Sequence, residues 1–287
     1  MSPKWRSTKH ESQWVSSLSI HAFPLIGKLS PEEITTQHIL DILAPIWTSK
    51  QVTAARLRGR LERIISASIT SGLRSSTNPA IWKGHLENLL PWVKASQGHH
   101  AAMNYKEVPA LMEILQRNTS QSSLALQFTI LNALRTSEGL FARKSEIDSG
   151  IFTIPANRMK GNQEHQVPLS QPSLNLIARL PNLNLTTDLL FHNNGKRLSN
   201  MSMLMLLRRI EPNITVHGFR SSFRDWVAEE TNHSPEVAEM ALAHKIANKV
   251  EAAYRRGKLI ERRRALMEDW ASYCMSTCTT YSPTALG

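Results

Sequence analysis

The sequence predicts a mainly helical protein of two domains, with a small antiparallel sheet in the second domain. Three observations predict this fold class. Apolar residues recur at helical spacing through most of the chain. One polar, glycine-containing turn lies between two short β-rich segments in the second half. The length of 287 residues suits two domains, because a single domain usually takes about 100–200 residues.

The first domain is predicted to span 1–95 and to be all-helical. Ser30 is a favourable N-cap residue and Pro31 suits a first helical turn, so we expect a helix to begin there. A second helix is predicted over 49–68, with Leu57 and Leu61 on its apolar side.

The helix predicted over 49–68 is strongly basic. Four arginines fall mostly outside its apolar side: Arg56, Arg58, Arg60 and Arg63. They form either a solvated basic face or a face that lies against the DNA backbone. The charge of the whole chain favours the second interpretation.

Residues 96–107 are small, polar and weakly periodic, which predicts a linker between the domains. The second domain is predicted to cover 108–287. Its stretch 122–134 is apolar almost all round, as expected of a helix buried in a core. The segments 151–155 and 165–170 predict a hairpin with Lys160 in its loop.

The charge of the chain points to a polyanionic partner. Thirty-four basic against 23 acidic side chains give a net charge of +11, and nucleic acid is the commonest partner of such a protein. Cys274 and Cys278 belong to no pattern with further ligands, so neither a disulfide framework nor a zinc site is predicted. No secretory signal or membrane span is recognisable, which predicts an intracellular, reducing location.

The most informative stretch runs over 216–254. His217 and Arg220 are three residues apart, so on one helix they are neighbours that could grip one anion together. Aromatic residues at helical spacing are expected to face the core and to leave Arg220 and Arg224 on a polar side.

A helix is also predicted over 235–254, carrying His244 and Tyr254. On an unbroken helix these two residues would lie about 15 Å apart along the axis, too far for both to touch one phosphate. We therefore expect a bend near 245–248, with Tyr254 on a separate short helix.

Several stretches of the chain resemble the tyrosine recombinases, or phage integrases, of prophages and genomic islands. They include LRTSE, IPANRMKGNQEHQVPLS, TVHGFRSSFRDW and MALAHKIANKVEAAYRRG, and the first half resembles the SAM-like helical core-binding domain of that family. The resemblance covers nearly the whole chain. Six residues carry it in the family's order: Arg135, Lys160, His217, Arg220, His244 and Tyr254.

The resemblance implies a DNA strand transferase that integrates or excises a mobile element. Tyr254 would attack the scissile phosphate, form a 3′-phosphotyrosyl bond and release a 5′-hydroxyl. Lys160 would protonate the leaving oxygen, with Lys144 as a nearby rival in the sequence. Because the covalent link conserves the bond energy, the resemblance implies neither a metal nor a nucleotide cofactor.

The resemblance also assigns the remaining site residues. Arg135 and Arg220 would hold the scissile phosphate, and guanidinium pairs suit the charge that develops on its oxygens. His217 and His244 would assist by proton transfer and hydrogen bonding. Glu138 would support Arg135. Further DNA contacts are expected from the four basic-helix arginines and from Arg224, Arg255 and Arg256.

The implied partners are double-stranded DNA at attachment core sites, other protomers in a tetrameric synaptic complex, and host bending or directionality factors, without a membrane. The implied location is the bacterial cytoplasm, at the nucleoid. The family's additional N-terminal arm-binding domain has no counterpart here, which predicts a natural truncation, a decayed prophage gene or a shortened fragment.

Three residues near Arg135 depart from the family pattern: Asn132, Gly139 and Lys144. They motivate an alternative function, a catalytically weak or inactive remnant that binds core sites without cleaving them. A type IB topoisomerase shares the chemistry and is a third possibility. A metal-dependent transposase is disfavoured, because the sequence offers no convincing carboxylate cluster.

Overall fold

The computed structural model describes residues 8–92, 101–180, 187–244 and 259–276, and the chain divides into two compact units, Met1–Gln97 and Gly98–Gly287. Within these described ranges no helix is long and apolar enough to cross a membrane.

The first unit is helical, as predicted. Its core is formed by Ile39, Leu43, Leu57 and Ile65, which are almost completely buried. The helices are α1 (Thr8–His21), α2 (Phe23–Ile26), α3 (Thr36–Trp47) and α4 (Gln51–Thr70).

The helix expected to begin at Pro31 begins later. Pro31–Glu33 forms one 3₁₀ turn, and Ile34 is extended, so the chain leaves the helical conformation after that turn. Thr35 is the N-cap of α3, because its side chain accepts a hydrogen bond from the backbone N–H of His38 at 3.3 Å.

The second unit combines helices with two small antiparallel sheets. Its helices are α5 (Val108–Gln116), α6 (Gln121–Leu131), α7 (Thr136–Leu140), α8 (Gln171–Ala178), α9 (Ser202–Ile210), α10 (Phe219–Glu230), α11 (Pro235–Ala241) and α12 (Ile260–Cys274). Its strands are β1 (Ile147–Asp148), β2 (Ile151–Ile154), β3 (His165–Pro168), β4 (His192–Asn193) and β5 (Lys196–Arg197).

The predicted hairpin is confirmed and carries one more strand. β2 pairs antiparallel with β3, with Phe152 opposite Val167, and β1 adds to the other edge of β2. A strand of two residues is too short to show alternation, so β1 could not be predicted from the sequence. β4 and β5 form a separate two-stranded hairpin.

Helix α6 lies at the centre of the second unit, as its apolar sequence predicts. Phe128 and Ile130 are fully buried. Trp270 of α12 is also fully buried and donates its indole N–H to the carbonyl oxygen of Ile130 at 2.9 Å. This bond ties the C-terminal helix to the central one.

Part of the predicted linker belongs to the second unit. Met103 and Tyr105 are buried in its core. The carbonyl oxygen of Ala101 accepts a hydrogen bond from the backbone N–H of Thr215 at 3.1 Å. Gly218 allows this approach, because a Cβ atom there would lie 2.4 Å from the same oxygen. Residues 96–100 of the linker prediction lie outside the described ranges.

Candidate active site

The candidate site is built around Arg220, in the first turn of α10. Its side chain is buried, with 5% exposure. One terminal nitrogen donates to the carbonyl oxygen of Ala133 at 2.7 Å, and the other donates to that of Leu242. Burial, and next the charge of Arg135, lower the pKa of Arg220 to about 10, so this guanidinium is still charged at pH 7.

Arg135 lies beside Arg220, between the central helix α6 and α7. Its NH1 donates to Glu138 at 2.9 Å, and the other oxygen of Glu138 accepts the backbone N–H of Arg135 at 2.8 Å. Its NH2 is 3.2 Å from the carbonyl oxygen of Ala243. The Glu138 carboxylate is buried, so it is a fixed counter-ion that aims Arg135 towards this turn.

The turn after α11 presents its carbonyl oxygens to both arginines. The helix ends at Ala241, and Ala243 adopts the left-handed conformation with φ of 48°. His244 therefore follows a break in the helix. The sequence predicts one helix that runs through His244 and bends near 245–248. The helix instead ends at Ala241, and 245–248 lie outside the described ranges.

His244 contacts Arg220 on one side and Glu239 on the other. Its Nε2 lies 3.1 Å from Arg220 NH2, and its Nδ1 lies 2.6 Å from a Glu239 oxygen. The second Glu239 oxygen pairs with Arg224 Nε at 2.9 Å. The half-exposed imidazole is thus clamped between a guanidinium and a carboxylate.

His217 and Arg220 do not share one regular α-helix, contrary to the prediction. His217 is in a 3₁₀ turn, Val216–Gly218, and α10 begins at Phe219. Thr215 caps this turn by accepting the backbone N–H of Gly218 at 3.2 Å. His217 is partly buried.

Arg220 also differs from its predicted environment. The aromatic stripe of α10 is buried as expected, with Phe223 and Trp226 in the core. The guanidinium of Arg220, however, is buried among backbone carbonyls instead of lying on a polar, exposed face. The carbonyls come from two chain breaks, at Ala133 and Ala243, and neither break is recognisable from helical periodicity.

Behind the site, His165 of β3 is buried and its Nε2 lies 3.1 Å from the carbonyl oxygen of Ala241. Burial, and next the charge of Arg263, lower the pKa of His165 to about 3. The ring is therefore neutral at pH 7 and donates Nε2–H to that carbonyl. This bond holds the end of α11 in place.

Lys160 is exposed in the connection between β2 and β3. Among the described residues it makes no hydrogen bond with Arg135, Arg220 or His244. The structure thus brings four predicted residues together, Arg135, Glu138, Arg220 and His244, and leaves Lys160 on a neighbouring loop.

Tyr254, Arg255 and Arg256 lie outside the described ranges, as does Tyr281. The remaining two tyrosines have structural roles. The hydroxyl of Tyr105 donates to Glu229 and Glu230, each at 2.8 Å, and burial together with these carboxylates raises its pKa.

The four arginines of the predicted basic face divide into two pairs. Arg58 pairs with Glu62 at 2.6 Å and also donates to the carbonyl oxygen of Ala80, and Arg60 donates to that of Gln13 at 2.7 Å. These bonds fix the two side chains within the unit. Arg56 and Arg63 are the exposed members of the predicted basic face.

Sequence reasoning missed Glu239 and His165. Glu239 and His244 are five residues apart, which on a continuous helix places them on different faces, so only the break at Ala243 brings them together. The burial of His165 has a weak signal, its alternation with Val167 along β3.

Residues 1–85 match the phage integrase central domain, and residues 102–258 match the phage integrase family. A prophage integrase, IntZ of Escherichia coli (strain K12), is 29% identical over 273 residues, which cover 92% of this chain and 66% of that protein. The chain thus spans about two thirds of the length of this relative.

Two solved structures have the same fold. A lambda integrase(75–356) dimer bound to a COC′ core site aligns with a TM-score of 0.66 at 17% identity, covering 90% of this chain and 91% of that chain. A lambda integrase tetramer bound to a Holliday junction aligns with a TM-score of 0.67 at 14% identity, covering 89% and 74%. These likenesses confirm the predicted fold class.

Proposed function

The chain belongs to the phage integrase family of tyrosine recombinases, and we propose that it is a site-specific DNA recombinase. It cleaves and rejoins DNA strands through a 3′-phosphotyrosyl intermediate and so integrates or excises a mobile element. The observation that carries this proposal is the convergence of Arg135, Arg220 and His244 on one turn of backbone.

A scissile phosphate fits this cluster chemically. Two guanidiniums can donate to its non-bridging oxygens and stabilise the charge that builds up in the five-coordinate transition state. Within the described residues, Arg220 Nε is buried and has no hydrogen-bond partner. A buried donor without an acceptor is costly, so an anionic oxygen is a favourable occupant.

Tyr254 is the proposed nucleophile. A phenol with an unperturbed pKa near 10 needs a cationic field or a base to attack at neutral pH. Tyr105 is unsuited to this role, because its raised pKa and its two carboxylate partners disfavour the phenolate. Tyr273 packs on Trp270 within the core of the second unit.

The other roles follow from the chemistry of the step. Lys160, on an exposed loop, brings the proton that the leaving 5′-oxygen needs, and His217 and His244 supply hydrogen bonds and proton transfer. Guanidinium and ammonium groups then perform the work that a metal ion performs in other phosphoryl transferases. The proposed reaction is metal-independent and uses no cofactor.

The proposed partners are duplex DNA and further copies of this chain. Lambda integrase, which shares the fold, has been crystallised on a core site and as a tetramer on a Holliday junction. By analogy, Arg56, Arg63 and Arg224 are proposed to contact DNA phosphates, with Arg255 and Arg256. Host bending or directionality factors complete the proposed assembly, and its place is the bacterial cytoplasm, at the nucleoid.

Two of the departures that motivated an inactive remnant are well accommodated. Gly139 leaves room for Thr129, since a Cβ atom at Gly139 would lie 2.2 Å from Thr129 Oγ1. Asn132 donates to the carbonyl oxygen of Phe128 at 2.8 Å and accepts from Ser173 at 3.1 Å. The support behind Arg135 is therefore close-packed, which favours an active enzyme.

The proposal is tested with a nicked duplex taken from the junction of the host element, so that cleavage is trapped. The full chain is incubated with this DNA in EDTA, and a detergent-resistant protein–DNA adduct is sought. We expect the adduct with the native chain and with Tyr281→Phe, and its loss with Tyr254→Phe. Tight DNA binding without an adduct would support the remnant instead.

A further inference from the structure

Glu239 occupies a position in the candidate site that the proposed reaction has not used. Its carboxylate is shared between two side chains: one oxygen lies 2.6 Å from His244 Nδ1 and the other 2.9 Å from Arg224 Nε. Glu239 is on α11 and Arg224 is on α10. His244 follows the turn at the end of α11. One carboxylate thus links two elements to the imidazole.

The contacts define which ring nitrogen of His244 carries the proton. A guanidinium has only donors, so the contact of Arg220 NH2 with His244 Nε2 at 3.1 Å is a hydrogen bond only if Nε2 is unprotonated. The proton of the neutral ring is then on Nδ1, where the Glu239 carboxylate accepts it. Both contacts agree on the same tautomer.

We propose that Glu239 is a positioning residue that holds the Nδ1–H tautomer of His244 and directs Nε2 towards the phosphate-binding arginines. This inference rests on the proposed function for its role in strand cleavage. When a bound phosphate accepts the hydrogen bonds of Arg220, Nε2 of His244 no longer accepts one from Arg220. Its lone pair is then available to accept a proton at the reacting group. A carboxylate on Nδ1 then stabilises the imidazolium that forms when Nε2 accepts a proton.

Arg224 moderates this effect of Glu239. Its Nε shares the carboxylate, which lowers the negative charge that His244 experiences. The other charged groups around the ring are Arg220 from α10 and, behind it, Arg135 with Glu138. His165, on β3, is neutral at pH 7. Only Glu239 among these described groups accepts a proton from the ring.

Substitutions of Glu239 and of Arg224 are expected to have opposite effects on the His244 ring. Glu239→Gln removes the carboxylate that accepts Nδ1–H of His244, so the population with the proton on Nε2 rises. Arg224→Gln leaves the Glu239 carboxylate to His244 alone, so the population with the proton on Nδ1 rises. A residue with a merely structural role would not give shifts of opposite sign at one imidazole.

The test uses ¹⁵N NMR of the histidine side chains in the full chain, with the His244 signals assigned by their loss in His244→Gln. Asp225→Asn is the matched control, since it removes one carboxylate next to Arg224 from an exposed position on α10. We expect the native chain and this control to share one ¹⁵N pattern, with Nδ1 protonated. In Glu239→Gln we expect the ¹⁵N pattern to change towards protonation at Nε2.

The same variants are then compared in adduct formation on the nicked duplex. Glu239→Gln is expected to slow it about 10-fold, the size of effect that one charge-assisted hydrogen bond produces. An unchanged ¹⁵N pattern in Glu239→Gln would overturn the inference whatever the enzyme does, and so would an unchanged rate. Absence of an adduct from the native chain would instead overturn the proposed function, and the ¹⁵N pattern would then decide alone whether Glu239 positions His244.

Discussion

The guanidiniums of Arg135 and Arg220 donate to adjacent carbonyl oxygens of one turn, those of Ala243 and Leu242. Two like charges on one turn are unfavourable, and burial and next the charge of Arg135 lower the pKa of Arg220. Backbone carbonyl dipoles and Glu138 offset this repulsion. An anion bound between the two arginines would relieve it further, which is the property a phosphate site needs.

This geometry predicts the effect of Arg135→Lys. Lysine keeps the charge but loses the planar fork of donors with which Arg135 binds Glu138 and presents further N–H groups to a phosphate oxygen. We expect adduct formation to fall about 100-fold, as on removal of an oxyanion donor. Arg117→Lys is the control, because Arg117 is exposed directly after the end of α5 and pairs only with Glu113 among the described residues. Equal rates for native and Arg135→Lys chains would refute this role.

We predict that the side chain of Thr129 leaves no room for a Cβ atom at position 139, so that only glycine fits there. The Cβ atom of Gly139→Ala would clash with Thr129 Oγ1, so we expect the free energy of unfolding to fall by about 1–3 kcal/mol. Adding Thr129→Ala removes the clashing oxygen and is expected to restore much of this loss. Gly161→Ala, where a Cβ atom meets open space, should change little. Urea unfolding of the four chains measures these differences, and a double variant no better than Gly139→Ala would contradict the explanation.

Ala243 is a second position where backbone conformation predicts a stability change. Its φ of 48° is unfavourable for a residue with a Cβ atom and is favourable for glycine. We expect Ala243→Gly to raise the free energy of unfolding by about 0.5–1 kcal/mol. Ala228→Gly, at an exposed position inside α10, should lower it by a similar amount. A loss of stability in both variants would argue against strain at Ala243.

Because His165 is buried in its neutral form, we predict that the folded protein loses stability in acid. Its pKa is about 3 in the folded state and near 6.5 in the unfolded state, so the unfolded chain binds more protons between these values. Stability therefore falls as the pH drops below 6.5, by about 2 kcal/mol from this residue between pH 7 and pH 5. In His165→Gln the amide can still donate to Ala241 but does not titrate in this range. Urea unfolding at both pH values should show a smaller pH effect in the variant, and an equal effect would contradict the assignment.

The elements that the sequence predicts well are those with long apolar patterns. Helix α4, helix α6 and the hairpin of β2 and β3 all agree with their sequence patterns. The family resemblance identified Arg135, Glu138, Arg220 and His244, which the structure brings together. These residues were identified by their motifs and their order along the chain.

The parts that could not be predicted depend on chain breaks. The left-handed residues Ala133 and Ala243 are alanines, which give no local signal for such a conformation. These breaks bury Arg220 among carbonyls and bring Glu239 to His244. Helical spacing alone had placed Arg220 on a polar face and His244 inside a helix, because periodicity assumes that the helix continues.

The central claim is that Tyr254 becomes covalently linked to DNA, and peptide mapping of the adduct tests it most directly. Trypsin places Tyr254 in peptide 250–255, Tyr105 in 95–106, and both Tyr273 and Tyr281 in 265–287. After nuclease trimming of the trapped adduct, mass spectrometry locates the remaining nucleotide. We predict a 3′-linked nucleotide on peptide 250–255 of the native chain. A nucleotide on 265–287 or 95–106 would contradict the account.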